Sequence, residues 1–184
     1  MRFTASSLLV LTLGGSTLAS AASFIPSLTC LKVKDIVEGI DTTPYMEKAI
    51  NRVCGAGCQP KVTDYEAMRR LAIPYIQSEA DRMGTSNLVP YYVNLMDAAY
   101  KLSVNKCGLD KLPGGDLCSS PEQLQSFAKC LQSNGWRLLL ANLGDILPLL
   151  SAESCQKELE YASNLDPIEE AAFAFLDQYV QEEC

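Results

Sequence analysis

The sequence predicts an all-α domain, a disulfide-stapled bundle of about six or seven helices. Three observations carry that expectation. Helix start signals recur along the chain, apolar residues repeat at helical period, and convincing period-two strands are absent. Eight cysteines in 184 residues supply the staples.

The first 21 residues, Met1 to Ala21, have the three parts of a cleavable export signal. Arg2 is the basic start, Leu8 to Leu13 the apolar core, and Ala19-Ser20-Ala21 a small-x-small cleavage site. A bilayer span needs about 20 apolar residues; this run is shorter, and Gly14-Gly15 interrupts it. No later stretch reads as a transmembrane anchor, and the acidic C-terminus lacks the hydrophobic tail of a lipid-anchor signal. The expectation is a secreted, extracellular chain with one domain over 22–184.

Cys30, Cys54, Cys58, Cys107, Cys118, Cys130, Cys155 and Cys184 all lie beyond the cleavage point. An even number in an exported chain reads as four disulfides, whose connectivity the spacing leaves open. A metal reading needs paired Cys or Cys/His groups. Only Cys54-x3-Cys58 comes close, and the chain has no histidine. No metal site and no cofactor are expected.

Thr43-Pro44 opens a helix that Gly55 is expected to stop. Thr63-Asp64-Tyr65-Glu66 reads as a capping box, opening a helix that bends near Pro74 and ends at Gly84. Leu88, Tyr92, Leu95, Met96, Ala99 and Leu102 form one apolar stripe. Gly114-Gly115 marks a tight loop between Cys107 and Cys118. Ser120-Pro121-Glu122-Gln123 repeats the capping-box pattern before the stripe Leu124, Phe127, Ala128 and Leu131, with Gly135 as the expected stop. Trp136 to Leu150 is the most apolar segment of the mature chain and reads as a central core helix interrupted at Gly144 and Pro148. Asp166-Pro167-Ile168-Glu169 opens a last helix, with Ile168, Ala172, Phe175, Leu176 and Tyr179 on one face, reaching nearly to Cys184.

Charge is uneven. From Ala22 to Arg137 there are 13 bases and 12 acids; from Leu138 to Cys184 there are ten acids and one base, Lys157. The acids are dispersed and lack the spacing of a calcium loop, so they read as a solvated face. The net charge of −7 argues against nucleic acid as a partner.

The absence of histidine removes Ser-His-Asp and Cys-His catalysis. A two-carboxylate hydrolase needs only Asp and Glu; Asp110 with Asp116 is the candidate pair, without a supporting motif. No phosphate-binding loop or dinucleotide fingerprint occurs. The segment around Leu143 is apolar nearly all round, so it must be covered on several sides. One of those sides could be a lipid or sterol, with Tyr91, Tyr92, Met96 and Tyr100 lining the same space. The candidate ligand-binding residues are Tyr92, Met96, Leu139, Leu143, Leu147 and Phe175.

Cys30-x23-Cys54-x3-Cys58, with Thr42-Thr43-Pro44 before the second cysteine, resembles a run in the elicitins, small all-helical sterol binders of oomycetes. Asp145 to Cys155 looks like the end of an elicitin's first helix, in a different order along the chain. The order Cys30, Cys54-x3-Cys58, Cys107, Cys118, Cys130 is similar to that of insect odorant-binding proteins. Those proteins place the Cys-x3-Cys inside a helix, whereas Gly55-Ala56-Gly57 here reads as a helix end. Size, export and cysteine density resemble the secreted cysteine-rich effectors and elicitors of fungi and oomycetes. These resemblances imply a non-enzymatic virulence or elicitor-like protein that binds an apolar ligand or a host extracellular protein. The alternative is a protein–protein module such as a protease inhibitor, presenting the loop Gly108 to Ser119 with its ends bridged. A hydrolase is the third expectation.

Overall fold

Serine caps open two helices that the start-signal pattern above does not include. In the computed structural model, which describes residues 27–184, Ser27 accepts a bond from the Cys30 amide and begins α1 (Leu28–Gly39). Ser151 accepts from the Ser154 amide and begins α7 (Ala152–Ala162). Each serine satisfies an amide that the first helical turn leaves unpaired. α1 and α7 pack together, and the Cys30–Cys155 disulfide joins them one turn inside their caps. The predicted export signal, Met1 to Ala21, lies outside the described residues.

The other helices are α2 (Thr43–Val53), α3 (Tyr65–Met83), α4 (Val89–Asn105), α5 (Pro121–Ala141), α6 (Leu143–Ile146) and α8 (Asp166–Glu183). That makes eight α-helices among the described residues, with short 3-10 turns between several of them. The described residues hold no strand, only an isolated bridge between Lys61 and Asp116. The all-α expectation holds.

Three element boundaries differ from expectation, each for a local reason. α2 runs into a 3-10 turn through Gly55 and stops at Gly57, whose φ of 83° only glycine adopts readily. Thr63 does not cap α3; instead the Asp64 carboxylate accepts the Lys61 amide at 2.8 Å across a 3-10 turn. α5 passes through Gly135 and ends at Asn142, whose side chain donates to the Leu138 carbonyl at 2.8 Å and so competes with the helix ladder. A mid-helix glycine costs about 1 kcal/mol relative to alanine, which the apolar turn beyond it offsets by packing Leu139 against Ile146, Leu149 and neighbouring side chains. Trp136 to Leu150 is consequently not one helix. It comprises the end of α5, the short α6 containing Gly144, and a 3-10 turn at Leu147–Leu150 where Pro148 lacks an amide to continue the ladder. α3, by contrast, continues past Pro74 and ends at Gly84 (φ 65°), with the Thr85 amide closing onto the Ala80 carbonyl at 2.7 Å.

Burial is divided among three small clusters. Val53, Leu71 and Tyr179 join α2, α3 and α8. Val62, Leu109, Leu112 and Leu124 join the central loops to α5. Leu88, Ile146, Leu149 and Leu150 form the third, and Ile146 is fully buried. Four disulfides join segments distant in the chain: Cys30–Cys155, Cys54–Cys118, Cys58–Cys184 and Cys107–Cys130, with no free cysteine.

On the chain-entropy account, a bridge closing a longer loop restricts the unfolded chain more. Cys30–Cys155 spans 125 residues and Cys107–Cys130 spans 23; the expected contributions are about 5 and about 3 kcal/mol. Replacing both Cys30 and Cys155 by serine should therefore lower the denaturant midpoint more than replacing Cys107 and Cys130. Chemical unfolding of the two variants checks the order.

Candidate functional site

Small residues on two facing helices leave space between them. On α3, Ala72, Tyr75, Ile76, Glu79 and Met83 lie on one face at helical spacing. On α8, Ile168, Ala171, Ala172 and Phe175 do the same. With Tyr92 and Met96 from α4 and Tyr161 from α7, they line a groove of about 430 Å³ that is partly open to solvent. Ala72, Ala171 and Ala172 stand where larger side chains would close it. The size lies within the range of pockets that hold small organic ligands.

Polar groups sit at its edges. The Tyr92 hydroxyl donates to Glu158 Oε1 at 3.2 Å and lies 3.4 Å from Thr85 Oγ1. Burial pushes the Tyr92 hydroxyl up to about 12, and pushes the Glu158 carboxyl up to about 7 against the opposing effect of the Tyr92 bond. The Tyr161 hydroxyl donates to Glu79 Oε2, and Arg82 Nη2 lies 2.8 Å from the same oxygen. Burial and the Glu79 carboxylate together raise Tyr161 to about 12. Arg82 lies over the Tyr161 ring at 5.5 Å, which fixes the ring at the groove edge. The Tyr75 hydroxyl donates to Gln178 Oε1 at 2.8 Å.

Of the six residues expected to bind a ligand, Tyr92, Met96 and Phe175 line this groove. Leu139 and Leu143 do not: they pack against the Ile146 cluster. Leu147 is 47% exposed on its 3-10 turn. Tyr91 packs in the Ile146 cluster, and Tyr100 stacks on Tyr65 at 3.7 Å while donating to the Val62 carbonyl. Leu139 and Leu143 thus pack against protein, and the open space lies between α3 and α8, with Tyr92 bordering both the Ile146 cluster and the groove.

The remaining candidates sit elsewhere. Asp110 is exposed on a 3-10 turn, and the Asp116 carboxylate accepts the Cys118 amide at 2.7 Å; neither lines the groove. The loop Gly108 to Ser119 is anchored at both ends, but not to itself: Cys107 pairs with Cys130 and Cys118 with Cys54. Its Leu109 and Leu112 are buried rather than displayed. Among the described residues no group of three or more His, Cys, Asp or Glu is placed to hold a metal, and no helix is long and apolar enough to cross a membrane. Comparison with family models, characterised proteins and solved structures finds no match.

Glu158 gives a pH signature. Its carboxyl is raised in the fold from 4.5 to about 7, so the folded state holds a proton that the unfolded chain releases. This favours folding below the unfolded value and is lost as pH rises from about 4.5 through about 7. Glu158→Gln should flatten the fall in thermal midpoint over that window. An unchanged slope by scanning calorimetry would contradict the assignment.

Proposed function

We propose that the protein is a secreted, non-enzymatic carrier or effector whose α3–α4–α7–α8 groove takes a single apolar ligand of the lipid or sterol class. The apolar groove carries this reading. Its walls are aliphatic and aromatic side chains, its polar groups are confined to the edges, and it is shaped by alanines on α3 and on α8, whose end the Cys58–Cys184 disulfide holds. Methionines at Met83 and Met96 add side chains that adapt to ligands of differing outline. Four disulfides suit an oxidising compartment.

The helices pack as a disulfide-stapled bundle around this space. α8 contributes one wall while its opposite side is tied to α2 through Lys48–Glu169 and Arg52–Asp177. Ligand entry therefore needs side-chain motion at the open edge and no separation of helices.

Native mass spectrometry of the protein secreted from a eukaryotic host, before and after organic extraction, tests the reading. A co-purifying lipid lost on extraction, and regained on adding lipid, is the expected result. Ala172 is an exposed alanine on the groove lining. Ala172→Trp should place an indole across the opening and weaken uptake by about tenfold or more, the equivalent of about 1.4 kcal/mol, with the far-ultraviolet circular dichroism unchanged. A protein that is empty as secreted and takes up no added lipid would overturn the proposal.

A further inference from the structure

The groove's polar groups point to one kind of head group, an inference that rests on the groove being a ligand site. Glu79 is the only charged residue in the lining. Among the described residues, both partners of its carboxylate fall on the same oxygen: the Tyr161 hydroxyl and Arg82 Nη2 meet at Oε2. Oε1 has no such partner and is open to solvent, so it is free to accept a hydrogen bond from a molecule in the groove. A carboxylate accepts at two oxygens, and an acceptor with no donor beside an apolar ligand loses the hydration it had in water.

The surrounding charges narrow the choice. Glu158 bonds the Tyr92 hydroxyl but is not part of the lining, so Glu79 is the one carboxyl group that faces the space. The bases nearby are already engaged or turned outward. Arg82 is exposed and spent on Glu79, while Lys157 bonds the Gly84 carbonyl at 2.9 Å and Glu153 at 3.1 Å. An anionic head would meet the Glu79 carboxylate, with Arg82 already paired to it. A cationic head would meet Glu79 after Arg82 has balanced its charge, with the guanidinium close by. A neutral hydroxyl needs only an acceptor, which Oε1 supplies.

We infer that the groove selects apolar molecules bearing a neutral hydroxyl, with Glu79 Oε1 accepting its proton in a hydrogen bond and Tyr161 and Arg82 holding the carboxylate in position. The ligand is a long-chain or polycyclic alcohol rather than a fatty acid or a long-chain amine.

Displacement of the neutral fluorescent probe N-phenylnaphthylamine from the full mature protein tests this, with dodecanol, dodecanoate, dodecylamine and methyl dodecanoate as competitors. These share a chain and differ in head group. Dodecanol should compete about tenfold or more better than each of the others, the scale of one hydrogen bond to a charged acceptor. Glu79→Gln keeps an acceptor and removes the charge, so dodecanol should still compete while dodecanoate improves. Glu79→Leu should bring dodecanol down to the level of the methyl ester. Equal competition by all four, tighter competition by dodecanoate or dodecylamine, or an unchanged preference in Glu79→Leu would overturn the head-group assignment while leaving the groove as a site. A probe that does not bind the wild-type protein at all would overturn both.

Discussion

The docking of α8 against α2 and α3 is the constraint on which the rest of the structure depends. Three kinds of interaction hold it. Tyr179 is buried with Val53 and Leu71, and Phe175, Leu176 and Val180 pack around them. Cys184, the last residue, is bridged to Cys58 just beyond the end of α2. Along the helix, Glu169, Asp177 and Glu183 pair with Lys48, Arg52 and Arg70. Exposed ion pairs are each worth only about 0–1 kcal/mol, so the apolar cluster and the disulfide supply the strength. The charges set which face of α8 turns toward α2 and which is left for the groove.

That placement explains how an open apolar space survives in so small a protein. Two helices drawn together by hydrophobic packing ordinarily close the gap between them. Here the contact between α3 and α8 is made by large side chains at Leu71 and Tyr179, while alanines occupy the facing positions beside Tyr75 and Phe175. The Tyr75 and Phe175 rings meet edge-on at 5.7 Å and prop the walls. At the other end Tyr161 is held by Glu79 and Arg82. The groove is framed by groups whose own partners fix them.

The helical class, the late helix at Asp166 and the stop at Gly84 were readable from local chemistry, because caps, prolines and αL glycines act within a turn of where they stand. α1 and α7 were not, since each is short and carries a single serine cap with no acidic residue three positions on. Half of the expected ligand set reaches the groove: Tyr92, Met96 and Phe175 lie on helical stripes that the period identifies. Leu139, Leu143 and Leu147 belong to the most apolar segment, a property that packs Leu139 and Leu143 against the Ile146 cluster and leaves Leu147 exposed on its turn. Glu79 has one sequence signal, a lone acid on the apolar face of Ala72, Tyr75, Ile76 and Met83. The acidic segment from Leu138 to Cys184 reads as a solvated face because its partners, Lys48, Arg52 and Arg70, lie more than a hundred residues away in the chain.

The most direct test of the ligand groove is site-resolved and uses the methionines. Met83 and Met96 line the groove, while Met46 packs in the separate cluster around Val62 and Leu124. With methionine methyl groups carbon-13 labelled, titration with dodecanol should shift the Met83 and Met96 signals together and saturably, leaving Met46 in place. Shifts at Met46 with none at Met83 and Met96, or no shift at any methionine, would contradict a ligand site between α3, α4, α7 and α8.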